Sequence, residues 1–510
     1  MVLDEYTALA DAAAARDAGA DLVEFRIDDL FTGSMDSHGN LDAREVRAVL
    51  RLVAESPLPC IVTCRSAAES GGTGGYDGDE MARVALYERL GTAEAKSGRD
   101  RDGSGEREHP PSFIDIEHAA YLASANIKQK VNLAVDHPNR QHRSVTTRLI
   151  LSMHDFEGRP RDLLRRVSLM QSEPAASVVK VAYTARSVRD NLELFDLLAE
   201  GGGGSGAGGE SKPLIALAMG RFGLMSRVLA PKFGGMLTFA SLRNSTATAP
   251  GQPTVSDLLD LYRFTSITAR TRVYGIVGWP VEHSLGPVVH NAGFESLMPG
   301  DEALGDRKTL AGGPGDAVYL PLPVPPEWEH FKATLAALID HQRLDFSGCS
   351  VTVPHKQHLV RFARDAMRSA DDGIEWSIDA LSDVCGAANT LNVERDPSGR
   401  AGRAFVYNTD AQAAADCLRA VLGELSGVRI GLIGAGGVAR AIAAGLLAAG
   451  SEVVVFNRTR ANADRLSEDL NQARRGRVDG GRLTPADLSE IAESGCQALI
   501  NCTPVGMSGG

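Results

Sequence analysis

Between residues 20 and 245 seven short apolar runs recur with helical stretches between them, and this alternation limits the possible folds more than any other feature. The runs are LVEFRID (22–28), PCIVTCR (59–65), FIDIE (113–117), RLILSMH (148–154), SVVKVAY (177–183), PLIALAM (213–219) and MLTFASL (236–242). Strands alternating with amphipathic helices make parallel βα units. Seven at this spacing nearly fill an eight-stranded (β/α)8 barrel, which takes about 250 residues. No strand is evident before residue 20, so the first barrel strand is expected to be missing or reduced to the opening few residues. Two polar, Gly-rich insertions, SGRDRDGSGEREHPPS (97–112) and GGGGSGAGG (201–209), read as flexible surface loops, because the alternation resumes after each.

The whole chain has 510 residues, enough for roughly three domains. With 53 Lys plus Arg against 65 Asp plus Glu, its net charge of −12 lacks the cation excess that phosphate contacts need, which argues against nucleic-acid binding. No apolar run approaches a membrane span. The opening segment, MVLDEYTALADAAAARDAGA, has no basic n-region and is not a secretory signal. Seven scattered cysteines without a CxxC pair suit reduced thiols in a cytoplasm rather than disulfides or zinc. No metal is expected, since the histidines and acids show no ligand spacing.

Barrel chemistry gathers at the carboxyl ends of the strands. There the first half carries Glu24 and Arg26, Arg65 with Glu69, His154, Lys180, then Arg227 and the segment TAPGQ (248–252). A lysine inside an apolar strand either snorkels or pairs with an acid, or it is a desolvated amine able to attack a carbonyl. An amine, an imidazole and several guanidiniums together suit an anionic keto acid. Arginine clamps the carboxylate, lysine forms an iminium, and histidine moves a proton at the neighbouring carbon.

The blocks ADLVEFRID, TCRSAAESGG, SMHDF, VVKVAY, MGRFGLMSRV, KFGGMLTFASL and TAPGQPT, in this order over residues 12–264, resemble the type I 3-dehydroquinate dehydratases. The resemblance implies that Lys180 is the Schiff-base lysine and His154 the general acid/base, with Glu69 orienting the histidine. It also implies substrate contacts from Glu24, Arg26, Arg65, Arg227 and Gln252, and from Thr248, which stands where the family usually has Ser.

Near residue 270 the pattern restarts, marking a boundary between a dehydratase domain (1–269) and a second α/β half, expected to divide into a substrate-binding domain (270–395) and a dinucleotide-binding one (396–510). The segment RIGLIGAGGVARAIAAGLLAAG (429–450) is an apolar strand, then a G-x-G-x-x-A turn, then an Ala-rich helix. Gly434, Gly436, Gly437, Val438 and Ala439 would bring backbone amides and a helix N-terminus to a pyrophosphate. After the next strand, where an NAD site places an acid, stand Asn457, Arg458 and Thr459, and the arginine points to the 2′-phosphate of NADP.

This half is similar to shikimate dehydrogenase through YGIVGWPVEHSLGPVVHNAGF, VTVPHK, GAANTL, NTD, GAGGVAR, NRT and NCTPVGM. The similarity implies a catalytic pair, Lys356 and Asp410, and substrate positions at or beside Ser284, Thr352, Asn389 and Gln412. The order of the two halves resembles the bifunctional dehydratase–dehydrogenases of plants and some bacteria, and the last two domains of the fungal pentafunctional aromatic-pathway protein. Its implied chemistry is dehydration of 3-dehydroquinate, then reduction of 3-dehydroshikimate with NADPH.

Two departures stand out. Ser284-Leu285-Gly286 replaces the family's Ser-x-Ser, which removes a hydrogen bond to the substrate carboxylate, opens space there and leaves quinate as a competing substrate. Such a bond to a charged group is worth about 1.5–3 kcal/mol, roughly 10- to 100-fold in affinity. The chain also stops at Gly510, where the family continues, so the dinucleotide-binding domain is expected to be incomplete. A metabolite sensor built on the same domains, like the quinate repressors, would need affinity but no reacting lysine. Retention of His154, Lys180, Lys356 and Asp410 argues against it.

Overall fold

The computed structural model describes residues 2–72, 74–93, 109–137, 145–202, 211–243, 251–298, 313, 315–369, 372–474, 481–503 and 505–506. Thr248 lies outside them, as do most of the two Gly-rich insertions. The chain divides between Thr271 and Arg272 into two compact units. No helix among the described residues is long and apolar enough to cross a membrane.

In the first unit six strands run in sequence order: β1 (Val23–Arg26), β2 (Cys60–Thr63), β3 (Phe113–Glu117), β4 (Arg148–Asp155), β5 (Ala176–Thr184) and β6 (Leu214–Met219). Every pairing is parallel, and helices such as Ala43–Glu55, Leu163–Ser172 and Asp190–Gly202 connect them. Parallel neighbours in strict order are the arrangement of a βα barrel. No strand precedes β1 among the described residues, although Val2, almost fully buried, donates its N–H to the Arg26 carbonyl at 2.8 Å. The seventh run differs from expectation. Residues 236–242 make only one backbone bond to β6, Met236 N–H to Leu214 O, and an isolated bridge from Ser241 to Thr254. Single bonds do not build a ladder, so the segment is not a seventh strand.

Side chains alternate across a strand, so one face of this sheet collects every second residue. At its amino end Ile61, Phe113, Ile150, Val178 and Ile215 form an apolar cluster. Two and four positions further along the same strands stand Thr63, Arg65, Asp115, Glu117, Ser152, His154 and Lys180. The apolar layer excludes water beneath a polar layer, and that arrangement positions the first site.

The second unit holds two sheets. One comprises β7 (Arg272–Gly278), β8 (Ala317–Pro323), β9 (Phe346–Val351), β10 (Glu375–Ile378), β11 (Thr390–Arg395) and β12 (Ala401–Tyr407), ordered 10-12-11-9-7-8 with β11 antiparallel to both neighbours. Because β12 pairs with β10 and β11, the change of sheet comes after Tyr407, later than the 395/396 boundary read from the sequence. The other sheet is parallel: β13 (Arg429–Ile433), β14 (Glu452–Phe456), β15 (Leu483–Ala486) and β16 (Ala498–Asn501), ordered 15-14-13-16. In chain order that is 3-2-1-4, the doubly wound pattern, with its switch point between β13 and β16.

Candidate active sites

In the first unit, β5 carries Lys180 to the polar layer, 5% exposed. Its Nζ donates to Asp115 Oδ2 at 2.9 Å and lies 3.5 Å from Glu24 Oε1. The ring of Phe239 covers it, centred 4.4 Å away. Arg65, equally buried, donates to Asp115 Oδ1 and to Ser152 Oγ, both at 2.9 Å, and pairs with Glu117 at 3.2 Å. Although burial opposes it, Arg65 and Lys180 hold the Asp115 carboxyl well below the usual carboxylate range.

His154 projects from β4 on the same face. Glu69 Oε2 accepts its backbone N–H at 2.9 Å and lies 3.2 Å from its Nδ1. Burial, with the charges of Arg65 and Lys180, holds the imidazole well below its ordinary pKa. Burial, reinforced by Glu117, pushes the Glu69 carboxyl up to about 7. A neutral imidazole with Nδ1 facing a carboxylate leaves Nε2 free as a base.

The other predicted residues separate by role. Glu24 accepts from Thr63 Oγ at 2.7 Å. Arg26 is held by both oxygens of Asp28 at 2.8 Å. Arg227 forms no ion pair among the described residues, and its Nη1 donates to Phe239 O at 3.4 Å. It is 1% exposed, its Nε has no hydrogen-bond partner among the described residues, and burial pulls it down to about 10. A buried guanidinium in that condition is complementary to an anion. Gln252 lies just past the undescribed segment that contains Thr248. Asp115, Glu117 and Ser152 were not singled out from the sequence, yet period-two counting from Phe113 and His154 puts them on this face.

In the second unit, Lys356 opens the helix Lys356–Ser369, and its Nζ donates to Asp410 Oδ2 at 2.5 Å. Asn408 caps the helix Thr409–Leu422 by accepting from the Asp410 N–H at 2.9 Å. Asn389 donates to Asp410 Oδ1 and Thr409 Oγ1, both at 2.9 Å, so lysine, carboxylate and amide form one network. Thr352 sits at the turn after β9, its N–H donating to Val277 O at 2.9 Å. Ser284 Oγ accepts from the Gly286 N–H at 3.1 Å. The space expected at Gly286 is already taken, because a Cβ there would lie 3.1 Å from Tyr319 Cε1 and 3.2 Å from Ser284 Oγ. Gln412 is not brought to the network; it is exposed and donates to Asp416 at 2.7 Å.

The glycine turn follows β13 at the switch point. Gly434 has φ +110°, and a Cβ on it would strike Thr503 Cγ2 at 2.9 Å, so only glycine fits. Gly436 precedes the helix Gly437–Ala448, whose first turn contains Val438 and a buried Ala439. A Cβ on Gly437 would stand 3.6 Å from Lys356 Cβ, so the turn abuts the lysine. Asn457 Nδ2 closes the turn after β14 on Thr459 O at 2.9 Å, leaving Arg458 exposed. An open glycine cradle, a helix N-terminus and an exposed cation fit a phosphorylated dinucleotide. Beside the Lys356–Asp410 pair, burial pushes the Cys502 thiol up to about 11.

A family profile described as type I 3-dehydroquinase matches residues 1–269, and one described as shikimate / quinate 5-dehydrogenase matches residues 416–479. Across 512 residues the chain is 31% identical to the chloroplastic bifunctional 3-dehydroquinate dehydratase/shikimate dehydrogenase of Arabidopsis thaliana, covering 97% of this chain and 68% of that one. It is 35% identical over 248 residues to the shikimate dehydrogenase (NADP(+)) of Paramagnetospirillum magneticum, covering 48% of this chain and 73% of that one. Among solved structures, dehydroquinate dehydratase and shikimate dehydrogenase from S. pombe aligns with 99% of this chain and 81% of its own, at 23% identity and a TM-score of 0.35, a likeness too slight to draw on.

Proposed function

The chain belongs to the type I 3-dehydroquinases and, across both units, to the bifunctional 3-dehydroquinate dehydratase/shikimate dehydrogenases, and from that premise we propose that it converts 3-dehydroquinate to shikimate in two steps. The first unit dehydrates 3-dehydroquinate; the second reduces the resulting 3-dehydroshikimate with NADPH. The domains proposed are 1–269, 270–407 and 408 onward.

The observation that carries the dehydratase reading is the Lys180 amine, buried in one polar layer with the neutral imidazole of His154. Lys180 Nζ bonds to the ketone carbon and the carbonyl oxygen leaves as water, giving an iminium. His154 then takes a proton from the adjacent carbon, whose electron pair the iminium accepts. The same histidine returns that proton to the departing hydroxyl, and water releases product and lysine. Arg227 holds the substrate carboxylate, with Glu24, Arg26, Arg65, Thr248 and Gln252 holding ring hydroxyls and orientation.

In the second unit NADPH supplies the hydride when bound, held by Gly434, Gly436, Gly437, Val438 and Ala439, with Asn457, Arg458 and Thr459 toward its 2′-phosphate. Lys356 gives a proton to the ketone oxygen, while Asp410 and Asn389 fix its amine. Ser284 and Thr352 contact the substrate. Tyr319 fills the volume a serine at 286 would need, which favours shikimate over the bulkier quinate.

Borohydride added with 3-dehydroquinate tests the first unit. A reduced adduct on the Lys180 peptide, absent from Lys180→Ala, is expected, and no adduct on folded protein contradicts the reading. Shikimate and quinate oxidation, assayed side by side, test the second.

A further inference from the structure

We propose that Asp115 is a catalytic residue of the first site, a permanent anion paired with Lys180 Nζ from the substrate-free lysine through the iminium. The inference rests on the dehydratase reading above and adds a group to it.

Three observations meet at this carboxylate. Both of its oxygens are engaged: Oδ2 accepts from Lys180 Nζ at 2.9 Å, while Oδ1 accepts from Arg65 at 2.9 Å and from Ser152 Oγ at 2.6 Å. Its side chain is fully enclosed, at 0% exposure, whereas Glu24, the other acid near the amine, stands further off at 3.5 Å and is 15% exposed. The amine also lies over the Phe239 ring, 4.4 Å from its centre, so a cation at Nζ meets a π face as well as a carboxylate.

The charge balance of the reaction explains the need for such a group. Written from the ammonium form, Nζ loses two hydrogens with the carbonyl oxygen as water and keeps one, so the nitrogen is a monocation before and after. A fixed anion therefore serves both ends without moving. Without it, the iminium would share a water-excluded layer with Arg65 and would be disfavoured, and with it would go the electron sink that makes the adjacent carbon acidic. The neighbouring cations hold Asp115 ionised, so it is no rival to His154 as base. Ser152 acts through Asp115 and is a positioning residue.

The experiment is borohydride trapping at saturating 3-dehydroquinate, timed by mass spectrometry of the Lys180 peptide, on wild-type protein, Asp115→Asn and Ser152→Ala. Thermal unfolding of each variant checks its fold. Folded Asp115→Asn is expected to form the adduct on the order of a hundredfold more slowly; formation at the wild-type rate overturns the proposal. Should that variant not fold, Ser152→Ala decides. It keeps the charge, removes one hydrogen bond to it, and is expected to slow trapping roughly tenfold, whereas an unchanged rate with only KM altered would assign Ser152 to Arg65 and overturn the proposal. No adduct on the wild-type protein would instead overturn the dehydratase reading itself.

Discussion

The proposed function gives two lysine–carboxylate pairs of this chain different tasks, and their surroundings differ. Lys180 and Asp115 have side chains 6% and 0% exposed, on β5 and β3, the two strands that flank β4 in one continuous sheet. Lys356 and Asp410 are 11% and 26% exposed, each in the first turn of a helix. An amine that becomes covalently bonded needs a water-excluded place and a fixed counter-charge. An amine that only passes a proton works at the rim, where substrate and cofactor enter and where a helix cap can orient its partner. The first pair is held by strand register and the second by capping hydrogen bonds, so they should respond to substitution independently.

The largest expected effect breaks one site and spares the other. Lys180→Ala should lower 3-dehydroquinate dehydration by on the order of 10⁴-fold or more, leaving NADPH-dependent reduction of 3-dehydroshikimate unchanged. Lys356→Ala should do the converse, cutting reduction by roughly 10²–10⁴-fold with dehydration intact. Steady-state assays of both reactions on both variants check this, and a loss that spreads to the other reaction would dissolve the comparison.

How much of this was readable in the sequence follows from the same contrast. His154 and Lys180 were legible because each is a polar residue in an apolar strand. Asp115 and Ser152 sit in equally apolar strands, but a lone acid or serine there carries no signal until the face it shares with Lys180 is known. The Lys356–Asp410 pair spans 54 residues and three strands, so no local pattern joins it; only the resemblance did. The 236–242 run looked like a strand because apolar content does not reveal whether a neighbour offers a ladder. Tyr319 beneath Gly286 was invisible for a related reason, since pocket volume depends on residues distant in sequence.

Smaller effects sharpen the comparison. Arg458→Ala should weaken NADPH binding by roughly 10- to 100-fold, measured by titration calorimetry, and bring NADH closer to parity. In the first site, Glu69 at about 7 should place an acid limb there in kcat/KM, because below it the protonated carboxyl no longer accepts the Nδ1 proton of His154. Glu69→Gln should remove that limb. The stability sign runs the other way: a carboxyl raised from 4.5 to about 7 makes the folded state lose stability as pH rises across that window, and Glu69→Gln should flatten the slope in thermal melts. Gly286→Ser is expected to change the KM for shikimate least, by a few-fold, because its Cβ presses on Tyr319 while its hydroxyl adds a bond.

The proposed function assigns two separable chemistries to one chain. Its most direct test supplies 3-dehydroquinate and NADPH to the wild-type protein, to Lys180→Ala, to Lys356→Ala, and to the two variants mixed, with shikimate as the product followed. Shikimate from the wild type and from the mixture, and from neither variant alone, is the predicted result. Shikimate from Lys180→Ala alone, or none from the mixture when both variants are folded, would contradict it.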